Sequence, residues 1–100
     1  MSYSSTHDLA IVTSAKQKLR ALNHPLRQKM LALIEENGSM IVTDIYQKLR
    51  IEQSVASQQL AIMRNENLVI TKREGKKIYY GVNKLAIKKL IADSQQLIAD

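Results

Sequence analysis

Apolar side chains recur every three or four residues over much of the chain, the pattern of amphipathic helices. The spacing predicts a first helix over residues 8–22 and a second that begins at Pro25. Asn37-Gly38 would close the second helix, with a left-handed conformation at either Asn37 or Gly38. The apolar stripe of the first helix consists of Leu9, Val12, Leu19 and Leu22. The apolar stripe of the second helix consists of Leu26, Met30, Leu33 and Ile34. Each helix therefore has one side suited to burial.

Two further helices are predicted with only a short connection between them. Residues 39–42 are expected to form an extended link, and Thr43 is a candidate N-cap for a third helix that ends near Arg50. Two residues then separate it from a fourth helix over Gln53–Asn65. Two short helices joined by a tight turn indicate a helix-turn-helix unit.

The fourth helix has one apolar side and one polar side with almost no charge. Its apolar stripe is Ala56, Leu60 and Met63, and Gln59 beside it is expected to be a hydrogen-bonded core amide. Amides and hydroxyls can both donate and accept hydrogen bonds, which base edges in a major groove require. The predicted base-contacting residues are Gln53, Ser54, Ser57 and Gln58. The alternative is an ordinary polar surface, although lysine and glutamate are the usual residues there.

The remaining segment predicts a β-hairpin and a last helix. Strands are expected over Leu68–Arg73 and Lys77–Val82, which are rich in Ile, Val, Thr and Tyr, with a short turn between them. Asn83 is a candidate cap for the last helix. The predicted fold is therefore mainly α with a small β-hairpin, a winged helix-turn-helix of four helices, two strands and a fifth helix. We expect a single domain over residues 1–100 with its core over residues 21–82.

The first and last helices, over residues 8–22 and 84–99, lie outside this predicted core. Each has an apolar stripe that the core does not use, and a chain of 100 residues has a modest core of its own. Packing against a symmetry mate would bury both stripes, so a homodimer is predicted. The predicted interface residues are Leu9, Val12, Leu19, Ile87, Leu90, Ile91, Leu97 and Ile98.

Positive charge is concentrated in one stretch of the chain. The formal net charge is +6, and residues 72–89 contain seven basic residues and one acidic residue. A focused basic strip favours a polyanionic partner, either a nucleic acid or an anionic membrane surface, and the alternative is a solvated lysine-rich face. Together with the predicted helix-turn-helix, it makes double-stranded DNA the expected partner. The predicted backbone-contacting residues of the wing are Arg73, Lys76 and Lys77.

Several classes of protein are disfavoured by what the sequence lacks. There is no cysteine, which excludes disulfides, thiolate metal ligands and thiol redox switches. No histidine is placed to activate Ser57, so we predict no enzyme and no cofactor. No signal peptide or membrane span is predicted, and we expect a cytoplasmic protein with no membrane partner. A basic amphipathic last helix could lie on an anionic membrane, but the absence of Trp and Phe argues against it.

Three segments in order resemble the arsenic-repressor (ArsR/SmtB) family of winged-helix regulators. They are Ala21–Arg27, Ser54–Leu60 and Leu68–Tyr80, which includes an Arg-Glu-Gly-Lys-Lys turn followed by paired tyrosines. The resemblance implies a homodimeric bacterial transcriptional repressor. It also implies that the fourth helix is the recognition helix and that Lys72–Lys77 form the wing.

The chain departs from the family pattern at positions that matter for regulation and docking. Gln58 and Gln59 stand where the family often has two histidines, and Glu52 stands where a serine or threonine usually opens the recognition helix. The segment Ser39–Tyr46 has no cysteine, and the last helix has acids but no histidine. We therefore expect no metal at the usual family sites. The signal would then be an unidentified effector ligand or partner protein. Because a homodimer is predicted, we expect a repressor that binds palindromic operators. The alternative function is a winged-helix protein-interaction or dimerisation module without specific DNA binding.

Overall fold

The chain folds into helices packed around one core, with a small sheet on one side. The computed structural model describes the backbone of residues 15–99 and the side chains of residues 15–93. Helix α1 includes residues 15–22. The remaining elements are α2 (Pro25–Asn37), β1 (Met40–Ile41), α3 (Val42–Leu49), α4 (Gln53–Asn65), β2 (Val69–Glu74), β3 (Lys77–Val82) and α5 (Lys84–Ala99). The predicted mainly helical fold is confirmed, and α4 and β3 have the predicted bounds.

The sheet has three antiparallel strands in the order β1-β3-β2. The pairing of β2 with β3 runs from Val69 opposite Val82 to Glu74 opposite Lys77, as a hairpin requires. The third strand was not predicted, because residues 39–42 were expected to be only an extended link. Met40 pairs with Tyr80 in β3, so β1 joins the helix-turn-helix to the wing.

Helix ends agree only partly with the predicted caps. The Oδ1 atom of Asn83 accepts a hydrogen bond from the backbone N–H of Ala86 at 3.2 Å, which confirms the predicted cap of α5. The prediction of Thr43 as a cap is wrong, because α3 already begins at Val42 after an extended Ile41. Gly38 follows α2 with a φ of 80°, the region that glycine favours.

The core is built mainly by α2, α3, α4 and the sheet. Its fully buried large side chains are Met30, Ile34, Ile45, Leu60, Met63 and Leu68. The predicted stripe of α4 is confirmed, since Ala56 is buried with Leu60 and Met63. In α2 the buried set includes Leu31, whereas the predicted Leu26 and Leu33 are half-buried. Because α4 buries this stripe, its opposite side faces outward.

Candidate nucleic-acid interface

The polar side of α4 is exposed along its length. Gln53, Ser54, Ser57 and Gln58 are all exposed, while Val55 at the edge of this side is half-buried. These positions recur at spacings of one, three and four residues, so their side chains leave the helix on one side. We call Gln53, Ser54, Ser57 and Gln58 the polar face of α4. It has the size and hydrogen-bonding groups to fit a major groove.

Gln59 lies at the boundary between the polar face and the core. Its Oε1 atom accepts a hydrogen bond from Nε of Arg27 at 2.7 Å, and both residues are partly buried. The prediction of Gln59 as a hydrogen-bonded amide is therefore confirmed. Nη1 of the same Arg27 donates to the backbone carbonyl of Ala21 at 3.2 Å. The contact with Arg27 was not predicted, because the two residues are 32 positions apart.

Glu52 occupies the N-cap position of α4. Its backbone is extended and its carbonyl accepts the first helical hydrogen bond, from the N–H of Ala56 at 3.1 Å. Its side chain is exposed and makes no capping hydrogen bond. A carboxylate therefore lies at the end of α4 where the helix dipole favours anions, next to the polar face.

The turn of the hairpin presents basic side chains around a glycine. Gly75 has a φ of 65°, a left-handed value that costs glycine no steric strain. Nε of Arg73 donates to the carbonyl of Gly75 at 3.2 Å, which holds this guanidinium beside the turn. Arg73, Lys76 and Lys77 are all exposed. The turn is therefore a positively charged tip formed by exposed side chains.

The predicted interface residues differ in the fraction of each side chain that is exposed in the single chain. Ile91 is 44% exposed, whereas Leu90 is only 6% exposed and belongs to the core of the chain itself. Leu90 therefore has little surface left for a partner in the single chain, and its place in the interface stays a prediction. Leu19 and Ile87 are half-buried against the core. Leu85, which was not predicted, is 82% exposed.

The other predicted interface residues fall beyond the described side chains. They are Leu9, Val12, Leu97 and Ile98.

The described part of the chain contains neither a candidate metal site nor a membrane-spanning helix. Within it, no three His, Cys, Asp or Glu side chains lie close enough together to hold a metal ion. No described helix is long and apolar enough to cross a bilayer. His24, the residue before α2, has its Nδ1 atom buried without a hydrogen-bond partner and does not cap the helix.

Comparison with known proteins identifies relatives for most of this architecture. The family described as "bacterial regulatory protein, arsR family" matches residues 24–71, from the residue before α2 into β2. The chain is 34% identical over 73 residues to the transcriptional repressor PagR of Bacillus anthracis, covering 73% of each protein. The crystal structure of PagR matches with a TM-score of 0.68 and 31% identity, over 83% of this chain and 98% of the PagR chain.

Two further comparisons extend this result. The chain is 42% identical over 62 residues to a biofilm growth-associated repressor of Agrobacterium fabrum, which is 62% of this chain and 52% of that protein. The chain thus spans about half the length of that relative. A homodimeric winged helix-turn-helix DNA-binding domain from Mycobacterium bovis shares the fold, with a TM-score of 0.78 and 24% identity over 100% of this chain and 91% of that one. The sequence and fold together show that this chain belongs to the ArsR family of DNA-binding transcriptional regulators.

Proposed function

We propose that this chain is a homodimeric repressor that recognises a palindromic operator through the polar face of α4. The observation that carries the proposal is the division of α4 into a buried stripe and an exposed side whose one charged residue, Arg64, lies in the last turn. A helix that serves only as a solvent-facing surface usually carries lysine and glutamate. Relatives with the same fold include PagR, a transcriptional repressor.

The side chains of the polar face suit direct readout of bases. Glutamine can pair with N6 and N7 of adenine through two hydrogen bonds, and serine can donate to or accept from either base of a pair. Gln53 and Ser54 lie in the first turn of α4, and Ser57 and Gln58 follow one turn later. In a helix-turn-helix the early residues of the second helix contact base edges, which is where these four residues lie.

The hairpin tip would supply affinity that does not depend on sequence. Arg73, Lys76 and Lys77 would contact phosphates or the minor groove beside the recognition helix. The exposure of all three side chains supports this role, because each can reach a phosphate without displacing part of the fold.

Dimerisation would place two polar faces on one side of the DNA. We propose that α1 and α5 form the interface and that residues 21–82 form the DNA-binding core. The two α4 helices would then enter major grooves about 34–36 Å apart, which is one turn of DNA. The exposed Ile91 on α5 and the homodimeric state of the Mycobacterium bovis domain support this arrangement.

Regulation would not depend on a transition metal at the usual family sites. The sequence has no cysteine, and its last helix has no histidine. A small effector molecule or a partner protein remains the class of signal that we propose, acting in the cytoplasm where the operator lies.

Selection of bound DNA from a random library tests this function directly. The proposal predicts enrichment of a palindrome whose half-sites are about one helical turn apart. Recovery of no preferred sequence, together with no DNA binding at low salt, would contradict it. Retention of a protein partner by the same preparation would then support the interaction module instead.

A further inference from the structure

We infer that Arg27 is a positioning residue that fixes the recognition helix relative to α1 and so sets the spacing between operator half-sites. This inference rests on the proposed function, because it concerns how the two α4 helices of a dimer are held. It assigns Arg27 no contact with DNA. Its role would be exerted through Gln59 and through the end of α1.

The first contact of Arg27 holds the recognition helix. Its Nε atom donates to Oε1 of Gln59 at 2.7 Å, at the short end of the range for such hydrogen bonds. Gln59 directly follows Gln58 of the polar face, so a shift of Gln59 moves the helix that presents that face. α4 packs mainly against α3 and β2, and Arg27 adds a polar contact from α2.

The second contact of Arg27 holds the end of α1. Nη1 donates to the carbonyl of Ala21, which lies in the last turn of α1. Carbonyls in the last turn have no partner within their own helix, and the helix dipole makes this end negative. The guanidinium therefore donates a hydrogen bond to a carbonyl that has no partner in its own helix, and it places a positive charge at the negative end of the helix dipole. Ala21 is itself buried, so this end of α1 is also packed against the core.

The geometry of arginine makes these two contacts a link between two helices. The guanidinium is a rigid plane, so donors on Nε and Nη1 keep a fixed relation to each other. Lysine has one terminal nitrogen on a flexible chain and would not impose that relation. Because α1 is a proposed dimerisation helix, the link would fix the position of each α4 relative to the two-fold axis of the dimer. A rigid link of this kind would favour one half-site spacing over others.

Operators with altered spacing test the inference. The selected palindrome is prepared with one base pair removed, one added and two added at its centre, which moves one half-site along and around the DNA axis. Binding of each duplex is measured for the wild type and for Gln59→Leu, which removes the acceptor while keeping a similar volume. Gln59→Glu is the matched variant that keeps an acceptor for Arg27. Thermal unfolding of each variant is recorded alongside.

The wild type and Gln59→Glu are expected to lose roughly tenfold or more in affinity on the altered spacings, which is within the range of coupling through a shared hydrogen-bond network. Gln59→Leu is expected to bind all the spacings within about threefold of one another while keeping its base preference within each half-site. A variant that was merely less stable would lose affinity equally on every duplex and keep the spacing preference.

Arg27→Met provides a second variant that should behave like Gln59→Leu. An unchanged spacing preference in both variants would overturn the inference, as would a wild type that shows no preference. Failure of the proposed function is a different result, because no palindrome would then be recovered from the library.

Discussion

Lys72 and Glu74 lie on the same side of β2, with 3.5 Å between Nζ of the lysine and Oε1 of the glutamate. Both side chains are exposed, so the pair adds little to the stability of the fold. Its main effect is on charge, because Glu74 is the one acid among the basic residues of segment 72–89. The pair therefore reduces the positive potential of the hairpin tip.

Removing this acid should strengthen DNA binding. Glu74→Gln would leave the lysine unneutralised and keep a side chain of the same size. We expect an affinity gain of about two- to tenfold at low salt, which shrinks as salt is added. Electrophoretic mobility shifts over a salt series measure this. Glu36→Gln, which removes an exposed acid from α2, should cause no comparable gain, and equal gains for both variants would contradict the assignment of the tip to DNA.

Removing a lysine from the tip should weaken binding to all DNA sequences alike. Lys76→Ala is expected to lower affinity for operator and random DNA by the same factor and to reduce the slope of log affinity against log salt by about one. Fluorescence anisotropy at several salt concentrations provides both numbers. Lys29→Ala, from the exposed side of α2, serves as the control of equal charge. A slope unchanged in Lys76→Ala would show that the tip does not contact phosphate.

Substitutions at Glu52 distinguish the effect of a helix cap on stability from the effect of the carboxylate charge on DNA binding. Glu52→Ser supplies a capping hydroxyl where the native glutamate makes no side-chain cap, but it also removes a carboxylate that the helix dipole favours. Because the second effect offsets part of the first, the free energy of unfolding is expected to rise by at most about 0.5 kcal/mol. It should also raise DNA affinity by removing a carboxylate beside the polar face. Denaturant unfolding and mobility shifts measure the two effects.

Glu52→Gln is the variant that removes only the charge. It should increase DNA affinity without the gain in stability from a serine cap. If neither variant binds DNA more tightly, the start of α4 does not approach the phosphate backbone.

The two exposed apolar residues of α5 are expected to behave differently. Ile91→Asp should shift the protein from dimer to monomer, because it places a charge in the proposed interface. Leu85→Asp alters a more exposed residue that lies about 120° away around the helix and should leave the dimer intact. Sedimentation velocity distinguishes the two states, and thermal unfolding checks that both variants fold. Dimers of equal strength in both variants would contradict the proposed interface.

The sequence predicts α4 well because its apolar and polar residues are clearly separated at helical spacing. Ala56, Leu60 and Met63 recur at helical spacing among polar residues, and all three are buried in the structure. By contrast, β1 has only two residues, Met40–Ile41. Their strand conformation depends on pairing with tyrosines about 40 positions later, which local pattern cannot reveal.

The candidate site shows the same limit of local pattern. The polar face could be predicted because its residues lie on one helix, and all four side chains are exposed. The partner of Gln59 is Arg27, 32 positions away, which helical spacing does not link. Leu90 and Ile91 both fit an apolar stripe, but only packing of the whole chain shows that Leu90 is in its own core.

If the polar face of α4 reads bases, Gln58→Ala should weaken binding to the operator but not to random DNA. Affinity is measured on the selected operator and on random DNA, with Gln28→Ala from the exposed side of α2 as control. We expect a loss of about 1–3 kcal/mol in binding free energy on the operator only, with relaxed preference at the contacted base pair. Equal losses on operator and random DNA, or no loss on either, would contradict base reading by this face.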